Sequence, residues 1–73
     1  MTYILLNLEA ANYEGAFPSE AEAFAEVRDA VRRFDREIAA AWALGYWDDA
    51  DAFHAVAEGD ALTGRALATQ ATA

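Results

Sequence analysis

The residues best equipped for chemistry lie in YWDDADAF, Tyr46 to Phe53, which places Asp48, Asp49 and Asp51 between aromatics and is followed directly by the only histidine, His54. Such a stretch could bind a cation, move a proton or recognise a basic surface. Asp49 and Asp51 have the i, i+2 spacing that opens a calcium loop, but that loop also needs glycine at its sixth position and glutamate at its twelfth. Counting from Asp49, those positions hold His54 and Asp60; counting from Asp48, they hold Phe53 and Gly59. Neither register fits. Cysteine is absent, which excludes disulfides and thiolate metal sites. No metal and no cofactor are expected.

Catalysis meets a similar shortage. The single serine, Ser19, stands at a helix start, so a Ser-His-acid arrangement would have to borrow a capping residue. His54 beside Phe53 reads as a surface or boundary residue, because geometry rather than presence makes a histidine a base. No glycine-rich phosphate loop occurs, and Gly15, Gly45, Gly59 and Gly64 read as turns or caps. Enzyme activity is not expected.

Recognition remains. The net charge is −8, from thirteen acids against five arginines and no lysine. That field disfavours nucleic acid and anionic membranes and favours basic protein surfaces. Glu20, Glu22, Asp48, Asp49 and Asp51 sit where a helix N-terminus welcomes negative charge, so part of the acidity has a local use. A solvated acidic face, or a halophile's general acidity, is the plain alternative. The arginines are confined to the segment from Arg28 to Arg36 and to Arg65, which leaves the aromatic corner purely negative. Tyrosine and tryptophan are frequent interface anchors. The expected partner-binding residues are therefore Tyr46, Trp47, Asp48, Asp49, Asp51 and, at the end of the same segment, Glu58.

The elements that would position them read as an α+β domain: an N-terminal strand or short β-hairpin packed on one long amphipathic helix, followed by a shorter helix. Residues 2–17 form the strand or hairpin, with Ile4, Leu6 and Leu8 on one face and NYEGAF as the returning strand. Ser19 with Glu22 has capping-box spacing. From there Phe24, Val27, Val31, Phe34, Ile38 and Trp42 recur at helical steps, so the long helix is predicted over 20–44 with Gly45 as its stop. The shorter helix is predicted over 49–58, capped by Asp48 or Asp49, burying Phe53 and Val56 and ending at Gly59. A loose turn around Leu62 to Leu67 and a frayed tail over 69–73 complete the chain.

Seventy-three residues make one small domain, without a visible internal repeat. A chain this short more often presents a surface than encloses a substrate pocket. The element order strand, helix, helix invites comparison with ribbon-helix-helix DNA-binding dimers, but the strand lacks the polar or basic residues that read a groove. No export signal or membrane-length apolar run is visible, so a cytoplasmic location is expected. Small size, strong acidity and an aromatic–acidic corner together resemble the small acidic inhibitors of phages and mobile elements, the anti-CRISPR and DNA-mimic antirestriction proteins. That resemblance implies stoichiometric blocking of a basic, nucleic-acid-binding surface in a defence complex, in the host-cell cytoplasm. The alternative is a structural or regulatory helical module, a homodimer or assembly subunit, joined through Phe34, Ile38 and Trp42.

Overall fold

The computed structural model describes residues 2–71. The chain folds as two successive strand–strand–helix units. In order these are β1 (Tyr3–Asn7), β2 (Asn12–Phe17), α1 (Glu20–Arg33), a short 3-10 turn (Arg36–Ala39), β3 (Trp42–Trp47), β4 (Phe53–Glu58) and α2 (Gly59–Ala71). The strands form one antiparallel four-stranded sheet in the order β2-β1-β3-β4.

This architecture overturns the expected one. The domain is α+β, but it has four strands rather than an N-terminal strand or hairpin, and its helices are nearly equal, at 14 and 13 residues, not long and short. The predicted helix over 20–44 ends at Arg33. Asp35 accepts a hydrogen bond from Glu37 N at 2.9 Å and caps the 3-10 turn instead, a local bond that competes with helix continuation. Phe34 and Ile38 keep the helical period yet are 66% and 37% exposed, whereas Trp42 begins β3 and is buried. The predicted helix over 49–58 is a turn followed by β4. Gly45 is a strand residue rather than a helix stop, and Gly59, at φ +54, opens α2 rather than closing a helix. Of the tail expected over 69–73, residues 69–71 close α2 and residues 72–73 lie outside the described residues.

Both helices cover the same face of the sheet. The buried cluster takes Leu5 from β1, Trp42 and Leu44 from β3 and Ala57 from β4, and joins them to Ala23, Phe24, Val27 and Ala30 of α1 and Leu62 and Ala66 of α2. Alternation along a strand then sends Ile4 and Leu6, with Ala43, Gly45 and Trp47, to the opposite face. The wholly buried residue of β1 is thus Leu5, on the face opposite Ile4 and Leu6, and Leu8 is 56% exposed. The smallest molecular dimension, 17 Å, is that of one sheet and one helical layer.

Ser19 caps α1 as its sequence context indicates, accepting from Glu22 N at 3.3 Å. Arg65 of α2 ties the helical layer together. Its guanidinium donates to Val56 O at 3.2 Å, pairs with Glu20 at 3.6 Å and lies over the Phe24 ring.

The two halves repeat one another. Leu5 pairs with Leu44 at the centre of the sheet, and the starts of β3 and α2 lie 39 positions after those of β1 and α1. A register shift falls between Leu5 and Leu6 in the first hairpin and between Leu44 and Gly45 in the second. Each hairpin also carries one non-glycine residue at positive φ, Ala11 and Asp51. These correspondences describe an approximate two-fold about the Leu5–Leu44 pair. The repeat is invisible in the sequence because few identities survive in it.

Candidate functional site

The face of the sheet turned away from the helices is apolar and has no covering element among the described residues. Register places Tyr13 and Ala16 of β2, Ile4 and Leu6 of β1, Ala43, Gly45 and Trp47 of β3, and Phe53 and Ala55 of β4 on it. Trp47 is 50% exposed and Tyr13 is 68% exposed. The Trp47 and Phe53 rings meet edge to face at 5.1 Å. Gly45 is required beneath them, since a Cβ there would collide with the Phe53 ring and with the His54 carbonyl oxygen.

Two shallow depressions flank this face. One, about 410 Å³, is lined by Thr2, Ile4, Trp47, Asp48 and Asp49 at the β3–β4 end. The other, about 290 Å³, is lined by Leu6, Asn7, Leu8, Ala11, Asn12 and Tyr13 at the β1–β2 end. Under the approximate two-fold the two ends correspond.

The expected site residues divide between places. Trp47 and Asp49 stand together on the open face, and Asp48 lines the same depression. Tyr46 points to the other face, where its ring stacks on His54 at 5.1 Å and meets Tyr3 edge-on at 5.9 Å. Glu58 is exposed on the open face but lies opposite Ala43, at the far end of β4 from Phe53 and Trp47. Asp51 occupies the turn in the left-handed region at φ 62, a conformation aspartate tolerates better than most residues.

Asp48 has a structural task. One carboxylate oxygen accepts from Ala50 N at 2.8 Å and Ala52 N at 3.0 Å. The other lies 2.5 Å from His54 Nε2, which donates in the tautomer that carries its proton there. The His54 contact, together with these backbone donors, holds the Asp48 carboxyl below its usual range. Charge reversal at Asp48 would therefore test the turn as well as any contact. Asp49 makes the cleaner probe. On the helix-covered side, partial burial raises the Tyr3 phenol, helped by the neighbouring Glu20 carboxylate.

Charge follows the layers. The strands and their hairpin turns carry Glu9, Glu14, Asp48, Asp49, Asp51 and Glu58 and no arginine. All five arginines fall on α1, the 3-10 turn and α2. Among the described residues, no group of three or more histidine, aspartate or glutamate side chains is placed to hold a metal ion, and no helix is long and apolar enough to cross a membrane.

Comparison adds no relative. No protein-family model, curated protein or solved structure matches the chain.

The residues that reading the sequence missed are Ile4, Leu6, Tyr13 and Phe53, which make the open face with Trp47. One signal was present: TYILLN is apolar at successive positions, so a strand built from it offers apolar side chains to both faces.

Proposed function

We propose that this chain is a non-enzymatic interaction module that docks its open sheet face on a basic surface of a protein partner, a surface of the kind that otherwise holds nucleic acid. The observation that carries this reading is the coincidence of an uncovered apolar face with a layer that bears only negative charge. An apolar patch supplies affinity and its acidic surround selects a cationic partner. In this reading Trp47 is the anchor, Asp49 and Glu58 are the steering charges, and Asp48 and Asp51 shape the hairpin that presents them. Stoichiometric inhibition of a nucleic-acid-handling complex is the form of function that fits such a module.

The test is capture of partners from native cells with the tagged protein and with an Asp49→Lys/Glu58→Lys variant. The wild-type chain should retain a protein with a basic nucleic-acid-binding surface, in competition with nucleic acid. The variant should lose it while its circular dichroism spectrum stays unchanged. Retention by the variant, or retention in high salt, would overturn charge-directed docking.

A second reading rests on Phe34 and Ile38, which stay exposed on the helical side and line one depression with Trp42 and Arg33. A homodimer closed through them would place the interface away from the acidic layer. Sedimentation that depends on concentration and is abolished by Phe34→Ser would favour it.

A further inference from the structure

The open face also constrains the shape of what it takes. We infer that its occupant is a basic amphipathic α-helix of the partner, an inference that rests on the docking reading above and specifies it. Three observations lead there.

The exposed large apolar residues of this face are not spread evenly. They gather at its two ends, Trp47 against the half-buried Phe53 at one and Leu8 with Tyr13 at the other, each beside its own depression. The row between is mostly small: Ala16, Ile4, Gly45 and Ala55 lie side by side across the four strands. An occupant must therefore place large apolar groups at two separated points and lie close between them.

The separation suits a helix. Ile4 and Leu8 are about 13 Å apart along an extended strand, and the Trp47 end lies beyond Ile4, so the anchors fall roughly 13–20 Å apart. Three turns of helix cover about 16 Å and return to the same side, so apolar residues at i and i+11 reach both ends. The sheet already accepts helices by its pleat, because α1 and α2 pack on its other side.

Charge selects the flanks and disfavours a second copy. Asp48 and Asp49 border one depression, Glu9 follows Leu8 in the turn at the other, and Glu58 stands on the β4 edge. Two copies meeting through this face would oppose these carboxylates with no arginine on either side. A helix with lysine or arginine flanking its apolar stripe meets them with opposite charge.

Synthetic peptides test this on the intact chain. The first is an 18-residue amphipathic helix with leucines at i, i+4, i+7 and i+11 and lysine and arginine on its flanks. The second has the same composition in strict alternation, as a strand, and the third has glutamate in place of the basic residues. The basic helix should bind at least about tenfold more tightly than either control by calorimetry, a difference well within reach of one or two anchor contacts. It should shift the amide resonances of Ile4, Leu6 and Trp47 while leaving Val27 and Leu62 unmoved, and Trp47→Ala should weaken it about tenfold. Tighter binding by the alternating peptide, equal binding by the acidic one, or shifts confined to α1 and α2 would overturn the inference. So would a dimer in sedimentation that Trp47→Ala dissolves. The two proposals separate cleanly. If the native partner is lost with Asp49→Lys/Glu58→Lys but the basic helix does not bind, docking on a basic surface stands and the helical occupant falls.

Discussion

Leu5 and Leu44 face each other across the central strand pair, both wholly buried, with the two strand–strand–helix units disposed about them. Each comes from a strand that leads its own unit, and each belongs to the buried cluster to which both helices contribute. The pair is where the two halves are joined.

Replacing either leucine should therefore be costly. Leu44→Ala and Leu5→Ala are each expected to lower stability by about 2–5 kcal/mol, the range for deleting a fully buried leucine. Leu8→Ala, on an exposed side chain of the same type, should stay within about 0.5 kcal/mol. Urea titrations of the three variants check the contrast.

Two glycines in the sheet separate in the same way. A Cβ at Gly45 would strike the His54 carbonyl oxygen, which is backbone and cannot swing aside, as well as the Phe53 ring. Gly45→Ala should destabilise by about 1–3 kcal/mol or more, as overpacking does. At Gly15 the nearest atom is Phe17 Cζ at 2.8 Å, the far end of a side chain that can rotate away. Gly15→Ala should thus cost less than about 1 kcal/mol, with reduced chain entropy in the unfolded state offsetting the crowding. Thermal melts of the pair measure the difference.

The end of α1 gives a third contrast. Phe24 is 5% exposed and Phe34 is 66% exposed, though both fall on the same helical period in the sequence. Phe24→Ala should cost about 3–5 kcal/mol. Phe34→Ser, at an exposed position, should change stability by less than about 0.5 kcal/mol. Similar losses at both positions would mean that the helix continues past Arg33 and buries Phe34.

That contrast also separates what the sequence makes legible from what only the fold decides. Ser19 and Glu22 were legible because a cap is a contact between near neighbours in the chain. Trp42, Leu44 and Tyr46 do alternate as a strand should, but Phe34, Ile38 and Trp42 also satisfy a helical period, and the choice between them depends on whether β1 is there to pair. The Ala-rich run before Glu58 has helix-forming composition, and only pairing with β3 makes it a strand. For the site, Trp47 and Asp49 could be named from residue type. Ile4, Leu6 and Tyr13 could not, since membership of an uncovered face depends on which side both helices take. Asp48 was recognisable as acidic but not as a turn-former, because its bonds run to backbone groups whose positions the fold decides.

Thr63 tests the tightness of the helix pair. It is 1% exposed in α2, and its hydroxyl has no hydrogen-bond partner among the described residues. A buried polar group in that state costs about 1–3 kcal/mol of desolvation. Thr63→Val keeps the shape and removes the hydroxyl, so stability should rise by about 1 kcal/mol, read as a higher urea midpoint at unchanged slope.

Asp48 sets the acid limit of the second hairpin. Its carboxyl is held below the ordinary range, chiefly by the His54 contact and then by the Ala52 and Ala50 amides. The folded state therefore binds this proton less readily than the unfolded chain, whose aspartates titrate near about 3.9. The stabilisation is complete above that value and is lost as pH falls through the lower folded value. Asp48→Asn should flatten this part of the stability–pH curve below about pH 5 and lower the melting temperature at neutral pH, since the amide cannot reproduce every bond at once. Asp49→Asn, at an exposed residue of the same loop, is the control for the loss of one negative charge. If the two variants show the same acid profile, the Asp48–His54 contact is not what holds the turn.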